Sequence, residues 1–165
     1  MPEQETLERA RQDEEEGKAP STQAGEFVRE EMHHIREGKH GARSTKQAIA
    51  IGLSKARRAG VKLGTPKKGT VSQRTRRQAA RDVAKGRKGL TRPSARRSRA
   101  VSKALKREGR SAATPQALAR QARVSARRRT AAQRSAAAKR ASSTKGPRAR
   151  SAAARKAART RARRG

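Results

Sequence analysis

The chain lacks most of what a conventional core is made from. It has no cysteine, no tryptophan and no tyrosine, and its one phenylalanine is Phe27. Without cysteine there is no disulfide and no thiolate metal site. Without aromatic rings there is no platform on which unpaired bases could stack, as RNA-recognition motifs and oligonucleotide-binding barrels require. No apolar run approaches the ~20 residues of a membrane span. The opening "MPEQETLERARQDEEEG" is acidic, unlike a secretory leader, so a cytoplasmic protein is expected.

The hydrophobic fraction is 31%, and most of it is alanine. Alanine buries little area, and burial contributes roughly 25 cal/mol per Å2. Ordering the backbone costs roughly 1–2 kcal/mol per residue. Over 165 residues the second quantity wins, and the composition predicts a chain that is largely disordered in isolation.

What is present in excess is positive charge. The formal net charge is +33, unevenly spread: residues 1–37 sum to −6 and residues 38–165 to +39. The second stretch holds only two acids, Asp82 and Glu108. A stretch of that density repels itself and calls for an anionic partner. Arginine outnumbers lysine 32 to 14, and its fork suits phosphate and narrow minor grooves.

Three regions follow from the pattern. Residues 1–20 read as an acidic arm, with only Leu7 and Ala10 as an apolar face. It either folds back on the basic region or stays solvated. Residues 21–64 read as a helical hairpin. In its first helix Pro20 and Ser21 or Thr22 mark the start, Gly38 the stop, and Ala24, Phe27, Val28, Met32 and Ile35 share an arc of roughly 140°. In its second, "STKQ" is a capping box from Ser44 to Gln47, and Gly60 with Val61 suits a Schellman end. Ala48, Ile49, Leu53, Ala56 and Ala59 form the inward face. The predicted hairpin core is Phe27, Val28, Met32, Ile35, Ile49 and Leu53.

Residues 65–165 read as a low-complexity Arg/Ala/Lys-rich tail with transient helices. Segments 72–86 and 94–109 each run from Ser to Gly, with weak seams at Ala80 and Val83 and at Val101, Ala104 and Leu105. Residues 114–141 open on Thr114–Pro115, a good helix start. The fold class expected is therefore mostly α and disordered.

Nucleic-acid contacts are expected from the cations. These are Lys46, Lys55, Arg57 and Arg58 on the back of the second helix, then Lys67, Lys68, Arg76, Arg77, Arg96, Arg97, Arg127, Arg128 and Arg129. Arg148, Arg150, Arg155, Arg163 and Arg164 complete the set. "TPKK" (65–68) is similar to the basic units of linker-histone tails, and "GPRAR" (146–150) only loosely to an AT-hook core, with the order wrong. Both are more economically read as linkers. His33, His34 and His40, near Glu30, Glu31 and Glu37, offer no four-ligand spacing, and adjacent His33 and His34 point about 100° apart on a helix. They are read as solvent-facing, with no metal and no cofactor. No P-loop, nucleophile elbow or paired carboxylates suggest an enzyme. Asp82 and Glu108 are read as local salt-bridge partners.

Residues 21–63 resemble a small bacterial family marked by "KHGARSTKQAIAIGLSKARRAG", whose shorter phage-borne relatives carry a similar "KQAIAI.LS.AR" core. The resemblance covers about a quarter of the chain and implies DNA binding or plasmid stabilisation. The remainder is similar in composition to linker-histone tails and bacterial histone-like proteins. Together these readings predict a non-enzymatic, nucleoid-associated, histone-like protein that binds duplex DNA with little sequence preference. The alternatives are an RNA- or ribosome-associated protein, and a plasmid-maintenance regulator whose hairpin binds a protein partner. Self-association through the hairpin is a further option, and no membrane is involved.

Overall fold

The computed structural model describes residues 2–89, 94–144 and 146–163. These residues form α1 (Gln4–Glu15), α2 (Pro20–Glu37), α3 (Thr45–Arg58), α4 (Gln73–Arg87), α5 (Ala95–Lys106), a 3-10 turn (Ser111–Ala113), α6 (Pro115–Arg127), α7 (Ala131–Thr144) and α8 (Pro147–Ala162). Among the described residues there is no strand.

The expectation of a mostly disordered chain is overturned. The described residues beyond 64 lie largely in α-helices, and three of these have side-chain caps at their start. Ser72 Oγ accepts from the Thr75 N–H at 3.2 Å, and Thr114 Oγ1 accepts from the Ala117 N–H at 3.2 Å. Thr130 and Gln133 form a reciprocal capping box, which separates α6 from α7 inside the segment 114–141. Alanine and arginine have high helix propensity. The composition argument weighed side-chain volume and left out how closely alanine and glycine let helices approach.

The chain divides into two units, residues 1–121 and 122–165. So the division does not fall at residue 64, where the composition changes. In the first unit α1 packs on α2, α2 on α3 and α3 on α4. Phe27, Ala24, Ala10 and Ala56 form one buried cluster, flanked by Leu7, Leu53, Val61 and Leu63. Met32, Ile35, Ala42 and Ala48 form a second, with Ala112 and Ala113, and Val28, Ile49 and Leu118 lie against it. The acidic arm is thus a docked helix, and residues 112–118 complete a core that the sequence assigned to the hairpin alone.

The α3 ends follow their spelling. Ser44 Oγ accepts from the Gln47 N–H at 3.2 Å, and Gln47 Oε1 accepts in return from the Arg43 N–H at 2.9 Å. Gly60 has φ +96°, and the Val61 N–H donates to Ala56 O at 3.1 Å, closing the Schellman end. Gly52, in the middle of α3, is the point of closest approach to α2: a Cβ there would lie 2.7 Å from Val28 Cα. The loop between α2 and α3 is held by backbone pairing, with the Gly41 N–H donating to Leu105 O and the Ala42 N–H to Gly109 O. Thr45 Oγ1 donates to Ala112 O at 2.7 Å, and Arg36 Nε to Ala113 O at 2.9 Å.

The second unit holds α7 and α8. Ala137 is partly covered, and the other described side chains of residues 122–163 are exposed. Among the described residues no helix is long and apolar enough to cross a membrane.

Candidate nucleic-acid interface

Helix α4 is the first strongly cationic element, and three residues fix how it sits. Ala79 and Asp82 are buried against α3. Asp82 Oδ2 accepts from Ser54 Oγ at 2.7 Å, its Oδ1 accepts from Gln78 Nε2 at 3.2 Å, and Arg58 Nε stands 3.7 Å away. Gly86 lies so close to α3 that a Cβ would come within 2.0 Å of Arg57 O. The inward seam is therefore Ala79, Asp82, Val83 and Gly86. The sequence placed it at Ala80 and Val83, but Ala80 is exposed.

With that seam inward, Arg74, Arg77 and Arg81 recur at i, i+3 and i+7 on one face. They line a groove between α3 and α4 of about 1260 Å³, together with Lys46. Sequence reasoning named Arg77 and Lys46 and missed Arg74 and Arg81. The signal was their spacing, hidden because the opposite face carries an aspartate where an apolar residue was sought. Further along, Arg99, Lys103, Lys106 and Arg107 line a shallow cleft on and beside α5. They too were missed, while neighbouring Arg96 and Arg97 were named and are exposed.

Two of the expected contacts face inward. Arg57 is buried, with Nη1 donating to Leu53 O and Nη2 to Gly64 O. Burial pulls its guanidinium below the usual arginine range, against the opposing charge of Asp82. Lys55 has a side chain only 16% exposed, and its Nζ contacts both Glu30 and Glu31. Both are held by partners inside the first unit, although Arg57 also lines the groove between α3 and α4. Arg58 is tethered near Asp82, and Arg76 Nε donates to Pro66 O at 3.2 Å.

Lys46, Lys67, Lys68, Arg77, Arg96, Arg97, Arg127, Arg128, Arg129, Arg148, Arg150, Arg155 and Arg163 are exposed. Arg164 lies outside the described residues. Of the hairpin-core set, Phe27, Met32 and Ile35 are buried, and Val28, Ile49 and Leu53 are partly covered. Val101, expected in a seam of α5, is 53% exposed.

Several acids of the first unit are paired at its N-terminal side. Glu3 accepts from Lys39 Nζ at 3.0 Å and pairs with His34 Nε2 at 2.8 Å. Those two partners pull its carboxyl down to about 2. Arg9 pairs with Glu5 and Glu26, Lys18 with Asp13 and Glu16, and Lys62 with Glu14. Five of the arm's seven acids thus meet a basic partner, within the arm or at His34, Lys39 and Lys62.

At the α2–α3 contact lies a buried polar cluster. Glu30 and Glu31 are both nearly inaccessible, Glu31 at 0%. Burial works to raise the Glu30 carboxyl, but the hydrogen bond and charge of Lys55, with Thr6 and the Glu3 N–H, outweigh it and hold it below the usual range. Only His33 meets the expectation of a solvent-facing histidine. The His34 side chain is 11% exposed and that of His40 16%. The reason is α1 and the Gly38–Ser44 loop, which cover a face that a lone helix would leave wet.

Residues 20–69 match the model of a family of unknown function, DUF6496. That span covers α2, α3 and the connection toward α4. Comparison with curated proteins and with solved structures yields no match.

Proposed function

We propose that this chain is a non-enzymatic, nucleoid-associated protein that binds duplex DNA through its phosphates, with little preference for sequence. The observation that carries the reading is the second unit. No acidic residue follows Glu108. The described arginines and lysines of residues 122–163 are exposed, and the unit's sequence contains no acidic side chain.

Such a surface gains affinity by releasing condensed counterions, a contribution blind to base identity. Arginine adds bidentate contacts to phosphate and favours the narrow minor groove of A·T-rich DNA. Base-edge reading needs side chains held against a groove by an ordered scaffold. Helices α7 and α8 cover no core that would fix them in that way. The first unit contributes the α4 and α5 cations, and most of its acids lie in α1 and α2.

Competition at one salt concentration tests this. Two duplexes of equal length and unrelated sequence should compete with the full chain within about threefold of each other, since the counterion contribution is the same for both. A strong preference for one duplex refutes the proposal. So does a double-stranded RNA that displaces either duplex with large excess affinity, which would favour an RNA partner.

A further inference from the structure

Glu31 raises a problem that the hairpin does not solve. Its side chain is buried, Oε1 is met only by the Lys55 ammonium, and Oε2 receives no hydrogen bond. A buried carboxylate oxygen without a donor is costly, and native structures rarely keep one without a reason. Lys55 touches Oε1, but it is shared with Glu30, to which its Nζ donates at 2.7 Å.

Two imidazoles close around the same carboxylate. His40 Nε2 is 3.4 Å from Oε2, and His34 Nδ1 is 4.0 Å from Oε1. The far nitrogen of each ring has an acceptor of its own. His34 Nε2 meets the Glu3 carboxylate at 2.8 Å, and His40 Nδ1 meets Gly41 O at 3.1 Å. In a neutral ring the nearer acceptor holds the proton, which leaves the near nitrogen with its lone pair toward Glu31. Lys55 meets Oε1 alone, so Oε2 and the two near nitrogens face one another with no cation among them.

This is the arrangement of a metal-binding histidine, whose other N–H is held by a carboxylate or a backbone carbonyl. We infer that Glu31, His34 and His40 form a site for a divalent transition metal such as Zn2+, with Glu3 and the Gly41 carbonyl as the groups that orient the two rings. The donor atoms of the triad all lie within 4.8 Å of one another. Donors around a tetrahedral zinc, with bonds near 2.0 Å, stand about 3.3 Å apart, so the widest pair closes by at most about 1.5 Å. Lys55 remains paired with Glu30 when Glu31 turns to the metal. A cleft lined by Glu37, His40, Lys106, Glu108 and Arg110 reaches His40 from solvent. The charge agrees as well: four carboxylates, Glu3, Glu30, Glu31 and Glu37, share the two ammonium groups of Lys39 and Lys55.

The chain has three histidines and no cysteine, so imidazole binding is confined to His33, His34 and His40. Titration of the full, metal-free chain with Zn2+ by calorimetry, and with Co2+ by visible absorption, tests the site. One ion per chain is expected, with the intense bands of four-coordinate Co2+. His40→Gln and Glu31→Gln should each weaken binding at least tenfold, and Glu3→Gln about tenfold through the ring it orients. His33→Gln, at a position 65% exposed, should leave binding unchanged. Circular dichroism of the apo variants separates loss of the site from loss of the fold, and His40→Gln at the cluster's solvent edge keeps the test open if Glu31→Gln does not fold. No binding at micromolar Zn2+, or equal effects of His33→Gln and His40→Gln, overturns the inference.

Discussion

The two units of this chain use nearly the same small alphabet to opposite ends. In residues 1–121, alanine and glycine are contact residues: Ala24, Ala48, Ala56, Ala112 and Ala113 are buried, and Gly52 and Gly86 sit where helices touch. In residues 122–165, alanine supplies helix propensity, and the described alanines lie on the surface or only partly covered. Charge divides the same way. Glu30, Glu31 and Asp82 are enclosed in the first unit with named partners. The second has cations and no acid. Composition alone therefore does not say whether an alanine-rich helix is a wall of a core or a carrier of charge. The presence of a few enclosed acids does.

The sharpest way to break that contrast is at Phe27, the largest fully buried side chain. Phe27→Ala should destabilise the first unit by about 3–5 kcal/mol, since the site is closed on all sides by α1, α2 and α3. Thermal melts followed by circular dichroism should show one transition moving to lower temperature, while the helical signal from α7 and α8 stays. A single loss of all helicity would mean that the second unit depends on the first.

A smaller effect is expected at Gly86. Its Cβ would strike the Arg57 carbonyl, a backbone atom that cannot rotate away. Gly86→Ala should cost about 1–3 kcal/mol through displacement of α4, despite alanine's better helix propensity. Hydrogen exchange should localise the loosening to α4 and the end of α3. A neutral or stabilised protein would show that α4 is not held by that contact.

Acid sharpens the contrast further. The carboxyls of Glu3 and Glu30 lie below their unfolded values, so their contribution is present above the unfolded range near 4.5. It is lost as pH falls through the folded values, toward about 2 for Glu3. The first unit should lose stability progressively across that window. The second has no carboxylate side chain and should keep its helicity. Chemical denaturation at several pH values, read at each unit, gives the comparison.

Much of the first unit was legible because its signals are local. Ser44, Gln47, Gly38 and Gly60 specify helix ends within a few residues, and the apolar arc through Phe27 and Ile35 specifies an inward face. What was not legible depends on contacts between distant segments. Ala112 and Ala113 carry no pattern of their own and are buried because Thr45 and Arg36 hold their carbonyls. Asp82 disguised the α4 seam, since a buried carboxylate reads as surface until Ser54 and Arg58 are beside it. His34 and His40 looked solvated because docking of the acidic helix could not be inferred from Leu7 and Ala10 alone. On the cationic surface, charge density was legible, but Lys55 and Arg57 were counted outward when their partners, Glu30, Glu31 and the Gly64 carbonyl, draw them inside.

The claim that affinity resides in the second unit is tested most directly by the salt dependence of duplex binding. Removing residues 130–165 deletes twelve cations and no acid, and leaves the first unit whole. If the full chain neutralises on the order of ten phosphates, log K should fall against log salt with a slope of about −9. The truncated chain should bind more weakly, with a slope less than half as steep. An unchanged slope after truncation would contradict the account and place the DNA-binding surface on α4 and α5.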